Sequence, residues 1–402
     1  MRVHHPRASI GLTAAAAAAA LVLAACSSGL DDDSADAGDG SASDGASRET
    51  SVFGQCPDGD PVESIDLAAA QELVDEYMTP AESIIIDEPL AEPIDTDLTV
   101  AYMDNDTPVG ALMWDEFEEA ATYAGLDATR VSVGVSAESV NSAFSSVVQN
   151  PPDIVIAPTI DPTFYTDQLS QLQEGGTTVV TGSITNAEDF GLQDGFGGRG
   201  TSIENGYLLA ASALTVTCGT ATEFVFYNVP EFGFSNISAE AAGEALDEFC
   251  GGACTLRIVD IPVAQMSTGG ADAVLSDLQA HPETAAFITG VDEIQVGLPA
   301  KQDLAGIDVP GIGMSSTPPN VEQIVNGDQA GGFVVDFSAF MWLLLDQGLR
   351  LEQGMDYPEP DWPTINPQVS MVLTHDNADL GVGGYVAVED YQDQFAALWG
   401  VE

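Results

Sequence analysis

Histidine is scarce in this 402-residue chain, and the spacing of the residues that could do chemistry argues against catalysis. Of the four histidines, His4 and His5 sit near the start, His281 precedes Pro282, and His375 adjoins Asp376. None forms an H-E-x-x-H pair, and neither G-x-x-x-x-G-K-[ST] nor G-x-S-x-G occurs. The glycines of GFGGRG at 195–200 are too crowded for a dinucleotide turn and follow no suitable strand. Asp376-Asn377-Ala378-Asp379 lacks the alternating acids of a calcium loop. No enzyme activity, cofactor or metal site is expected. What the chain does offer is side chains that recognise polar solutes. Acceptors recur where strands should end, at Asp104, Asp161, Asp292 and Asp336, with small or amide groups at Asn105, Thr159, Ser183, Asn228 and Ser315. Aromatic faces come from Phe164, Tyr165, Phe232 and Phe234, and the one base near a lobe junction is Arg199. Such a set suits a neutral polyol or a cationic nitrogen better than a carboxylate or phosphate.

Charge supports that reading. With 64 acidic side chains against 8 basic ones, the formal charge is −56. A polyanion this poor in Lys and Arg lacks the phosphate-neutralising contacts of nucleic-acid binding and is repelled by anionic headgroups. Hydrophobic residues still make up 45%, enough for packed cores over two or three domains.

The elements that must position these residues follow from the apolar pattern. Residues 66–78 have helical spacing, and 80–97 read as a Pro- and acid-rich connection. From residue 98 a βα alternation begins, with strands at 98–103, 130–135, 153–157 and 178–181 and helices at 111–124, 139–149 and 163–173. After the glycine-rich 195–200 it restarts, with helices at 203–216, 237–249, 268–280 and 294–304 and strands at 223–227, 255–260, 285–289 and 310–314. Two such series predict an α/β protein of two doubly wound lobes with mainly parallel sheets. Ligands of such sheets sit beyond the carboxyl ends of the strands, so two facing lobes would form one cleft.

The first 25 residues read as an export signal: a basic start, an alanine-rich apolar run at 10–25, then Leu23-Ala24-Ala25-Cys26. That ending resembles the bacterial lipobox, which implies cleavage before Cys26 and lipidation of its thiol. Arg2 and Arg7 would leave with the signal, taking the side-chain charge to about −58. Residues 26–51 should be an acidic, disordered tether, and 52–97 an N-terminal extension with one helix. Cys56, Cys218, Cys250 and Cys254 remain, an even number that favours two disulfides in an exported chain, with three pairings open. The apolar stretch 333–345 is short and contains Asp336, so it reads as core rather than a membrane span.

The order of segments resembles the type I periplasmic binding proteins, in their ribose/galactose-binding branch. DIVIAPTID (153–161), TTVVTGS (177–183), GFGGRGTSIENGYLLA (195–210), AAFITGVDE (285–293) and VPGIGMSSTPPNVEQIVNG (309–327) carry the likeness. It implies a three-crossover hinge, with lobe one at 98–194 and 316–366 and lobe two at 195–315 and 367–402. It also implies a monomeric, lipid-anchored receptor on the outer face of the bacterial cell membrane that captures a sugar-like solute for an ABC permease. A binding module that signals to a membrane sensor is the alternative. The family's sugar contacts fall on changed residues: its Asp-Arg pair on Ser183-Ile184, its Asn on Val291 beside a retained Asp292, and a later Asp and Gln on Ser315 and Asp336. The family's arginine on a lobe-two helix falls near residues 240–242, where this chain has no base. The expected ligand set is therefore Asp104, Asn105, Thr159, Asp161, Phe164, Ser183, Asn228, Phe232, Asp292, Ser315 and Asp336.

Overall fold

Apolar runs with β-branched and aromatic residues become buried strands, as residues 99–104, 154–156 and 178–180 show, whereas 127–132 forms a largely exposed strand at the edge of the sheet. The computed structural model describes residues 50–134, 136–357 and 361–401; the expected signal, Cys26 and nearly all of the tether lie outside them. A short antiparallel pair, β1 (Thr50–Ser51) and β2 (Gly54–Gln55), precedes helix α1 (Leu67–Glu76), which Asp66 caps by accepting from the Ala69 amide. Then come β3 (Thr99–Asp104), α2 (Pro108–Tyr123), β4 (Asp127–Ser132), α3 (Ala137–Val147), β5 (Ile154–Ile156), α4 (Thr166–Glu174) and β6 (Thr178–Val180). These strands form a four-stranded parallel sheet in the order β4-β3-β5-β6.

The second series runs α5 (Arg199–Val216), β7 (Glu223–Asn228), α6 (Gly233–Cys250), β8 (Thr255–Asp260), α7 (Val263–Ala280), β9 (Ala286–Thr289), α8 (Leu298–Ala305), β10 (Gly311–Met314), α9 (Pro318–Val325) and β11 (Gly331–Val335). It is followed by α10 (Phe337–Glu352), α11 (Trp362–Val369), β12 (Ser370–Leu373) and α12 (Tyr391–Trp399). The second sheet has six strands in the order β12-β11-β10-β9-β7-β8, parallel except for β12. Alternate residues of β7 point into separate cores: Phe224 and Phe226 face α5 and α6, whereas Val225 and Tyr227 face the α7 side. Burial on both faces is why the inner parallel strands β7, β9 and β10 read as apolar runs, whereas the edge strand β8 is more exposed. No described helix is long and apolar enough to cross a membrane.

The two-lobed α/β architecture is as expected, but the chain changes lobe at other points. Strand β11, expected in lobe one, pairs in parallel with β10, so the crossing falls at Asp336, after which α10 packs on α2, β5 and β6. The C-terminal segment, expected wholly in lobe two, contributes β12 there and then returns. Tyr391, Phe395, Leu398 and Trp399 form one apolar face of α12, and the Trp399 ring stacks on Trp342 of α10 at 5.2 Å and 7°. The N-terminal extension also spans both lobes: α1 packs against α5, whereas Ile84, Ile85, Leu90 and Ile94 pack on the α10–α12 core. The expected helix at 294–304 breaks at Gly297, whose φ of 76° belongs to the left-handed region, so a 3-10 turn (Asp292–Gln295) and α8 replace it. The cysteines pair as Cys56–Cys218 and Cys250–Cys254.

Candidate functional site

The strand ends collect unusual backbone. Among the described residues, five other than glycine have positive φ, and four of them lie just beyond parallel strands: Asp106, Thr159, Ser183 and Ser315. The fifth, Cys218, is in a disulfide. Each such residue costs about 1–3 kcal/mol and persists only where its surroundings enforce it. Four of them gather at the carboxyl ends of the strands, where ligands of such sheets bind, which makes this the candidate site.

In lobe one the side chains enforce it as a network. Asp104, 1% exposed, accepts from Arg130 Nε at 2.8 Å and Nη2 at 2.6 Å, and also from the Asp106 amide. The Arg130 guanidinium lies over the Trp114 ring, 5.6 Å from its centroid. Asn105 Nδ2 donates to Thr159 Oγ1 at 2.7 Å, and Asn105 Oδ1 accepts from the amide and hydroxyl of Thr107. Ser132 donates to Asp106 at 2.6 Å, joining the ends of β3 and β4. Asp161 accepts from the Thr163 amide and from Asn186 Nδ2, tying the loop after β5 to the loop after β6. The Ser183 amide donates to the Phe196 carbonyl. Phe164 is 37% exposed, whereas Tyr165 is buried and stacked on Phe144 at 3.8 Å. Tyr165 is therefore core.

In lobe two, Asn228 Nδ2 donates to Asn236 and Asp260, each at 2.9 Å, and Asn228 Oδ1 accepts from Ser235 Oγ. Phe232 stacks on Phe234 at 5.1 Å and 17°. Two further expected contacts prove, like Asp104 and Asn228, to be buried. Asp292 is 0% exposed, and its carboxylate accepts from Ser316, Gln295 and Gln329. Asp336 is also 0% exposed, accepting from the Ala339 amide as the cap of α10 and from the Ala387 amide of the returning C-terminal segment. Burial pushes both carboxyls up from the usual 3.8 to about 6, against the pull of those donors. Neither presents an oxygen to the cleft, because a short acid beside apolar strand residues turned inward to amide and hydroxyl donors.

The two walls meet. A β-carbon on Gly233, at the start of α6, would lie 2.5 Å from Thr185 Oγ1, so the loops after β6 and β7 touch. The glycine-rich 195–200 is a helix entry: Asp194 accepts from the amides of Arg199 and Gly200, and Gly200 lies flush against Trp362, where a side chain would overlap. Arg199 itself is exposed. Thr107, Ser132, Thr185, Asn186, Asn236 and Asp260 belong to the walls but were not expected there; their position one to a few residues around each strand end was the available signal. A surface depression of about 560 Å³, lined in part by Pro57, Leu278, Thr284, Ile307 and Pro310, lies at the amino ends of the second sheet's strands, the wrong end for this network.

No family model matches the chain, and no curated protein matches its sequence. Solved structures do. The 5-methylthioribose transporter solute-binding protein from Thermotoga lettingae is 12% identical, with a TM-score of 0.60 over 78% of this chain and 99% of that one. The periplasmic solute-binding protein from Actinobacillus succinogenes, bound to D-allose, is 16% identical, with a TM-score of 0.58 over 70% and 99%. The protein has the two-lobed fold of periplasmic solute-binding proteins. The solute-binding protein from Burkholderia graminis, complexed with D-arabinose, gives 15% identity and a TM-score of 0.58 over 71% and 98%. At these identities the likeness is one of fold.

Proposed function

We propose that this protein is an extracytoplasmic receptor that closes two lobes on a small polar solute and passes it to an ABC importer. The observation that carries the reading is the set of left-handed strand-end residues, Asp106, Thr159, Ser183 and Ser315, on the facing carboxyl ends of both sheets. Hinge closure between such walls is a known way of enclosing a solute. The exposed ring of Phe164 and the stacked Phe232–Phe234 pair provide apolar faces, and Asp106, Asp161, Glu231 and Asp260 provide acceptors. Arg130 is bound to Asp104, which leaves little positive charge for an anionic ligand. We assign the solute to sugar-like or polyol molecules, neutral or cationic, and the attachment to lipid on Cys26.

Native mass spectrometry of freshly purified protein, followed by thermal shift against aldoses, polyols, methylthioribose and amines, tests the reading. A ligand at a hundred times its Kd adds about 2.7 kcal/mol of stability, a rise of several degrees. No carried mass and no shift across the panel would refute it. For the anchor, Cys26→Ser should release the protein from the membrane fraction, and unchanged retention would remove the lipid assignment.

A further inference from the structure

Asp292 raises a question that the receptor reading does not answer: why a carboxylate is buried just beyond β9 with no Lys, Arg or His among the described residues paired with it. Its donors are uncharged groups, the Ser316 hydroxyl at 2.5 Å, Gln295 Nε2 at 2.8 Å, Gln329 Nε2 at 3.0 and 3.1 Å and the Thr289 hydroxyl at 3.5 Å. The sheet is shaped around it. A β-carbon on Gly313 would overlap the carboxylate, and one on Gly332 would lie 2.9 Å from Oδ2. Two larger apolar residues on those strands would fill the space without desolvating an ion, and burying an ion is costly. The carboxylate therefore serves geometry, because a fully satisfied polar network holds its members in one arrangement.

What it holds is a turn of the cleft wall. Ser316 binds the carboxylate directly. The Asp292 carbonyl accepts from Asn320 Nδ2 at 2.8 Å, and Asn320 Oδ1 accepts from the amide and hydroxyl of Thr317. Both residues following the left-handed Ser315 are thus tied to Asp292. We propose that Asp292 is the positioning residue of the lobe-two wall: without touching solute, it fixes the turn at 315–317 through Ser316 and Asn320. The proposal rests on the receptor reading for its purpose, but the clamp is testable without a ligand.

Hydrogen exchange on the full chain, resolved to single amides, is the test, on wild type, Asp292→Ala, Asp292→Asn, Ser316→Ala and the double variant Asp292→Ala/Ser316→Ala. In Asp292→Ala, which removes the carboxylate but keeps the backbone carbonyl that holds Asn320, the amide of Ser316 should exchange at least tenfold faster, that of Thr317 should change less, and the β7–β8 ladder should keep its protection. Ser316→Ala should reproduce the effect at Ser316, the double variant should be no worse there than Asp292→Ala, and Asp292→Asn should recover part of the protection. If Asp292→Ala does not fold, Ser316→Ala and Asp292→Asn carry the same comparison. Unchanged exchange at 316, or acceleration spread evenly over β7, β8 and β9, would overturn the proposal. As a second arm, any panel member that stabilises wild type should bind Asp292→Ala at least tenfold more weakly, and equal binding would also overturn it. If no member binds wild type, the receptor reading fails and the exchange arm still decides the clamp.

Discussion

Asp292 and Asp336 give stability an unusual dependence on pH. Both are fully buried, no Lys, Arg or His among the described residues donates to either, and burial raises both carboxyls from 3.8 to about 6. An acid whose pKa is higher folded than unfolded takes up a proton on folding, so its stabilising contribution is fully present below about pH 4 and is lost as pH rises through 6. A rise of about two pH units corresponds to about 3 kcal/mol for each group, or about 6 kcal/mol for the pair across that window. Asp346, also raised mainly by burial, acts in the same direction, as does relief of self-repulsion in a chain of formal charge −56. Asp153, held low by the Thr99 amide and hydroxyl, opposes the trend only as pH falls through its own lower range. Urea unfolding at fixed ionic strength from pH 7.5 to 4.5 should therefore show stability increasing as pH falls toward 5. Asp336→Asn should flatten that rise by about 1 kcal/mol per pH unit between pH 4 and 6. Stability that falls steadily from pH 7 to 5, or a slope untouched by Asp336→Asn and Asp292→Asn, would refute the reasoning.

Other perturbations separate the parts of the account. Trp399→Ala removes the stack on Trp342 and the bond from Trp399 Nε1 to Asp346, and should cost about 3–5 kcal/mol by denaturant titration. Losing the Cys56–Cys218 bridge, which spans 162 residues, should cost up to about 5 kcal/mol, against about 2 kcal/mol for Cys250–Cys254, which spans 4, as read by unfolding of the paired-serine variants. Gly233→Val places a side chain against Thr185, so small-angle scattering should show incomplete closure with solute and binding should weaken, while the melting temperature without solute stays within a few degrees.

The fold was legible where local pattern and global burial agree. The apolar cores of β3, β5, β7 and β9 have helices on both sides, and their periodicity states this directly. Lobe boundaries were less legible, because α9 and β11 continue the same alternation and nothing local marks Asp336 as the crossing. The return of α12 depends on a distant surface: an apolar face shows that a helix needs a partner, not that the partner is Trp342. In the site, Asp104, Asn105, Thr159, Asp161, Ser183, Asn228 and Ser315 do stand at strand ends, as their positions indicated. Asp292 and Asp336 stand there too, but a strand's pattern does not say whether its last polar side chain turns outward or back into the core. For Asp336 a signal existed, since an aspartate just before an apolar helix is a strong N-cap.

Hydrogen exchange with and without the solute found by mass spectrometry tests the central claim most directly. The account predicts simultaneous protection of the strand-end loops of both lobes, at 105–107, 159–163 and 183–186 and at 229–233 and 315–317. Protection confined to one lobe, or appearing instead around the depression lined by Leu278, Ile307 and Pro310, would contradict it.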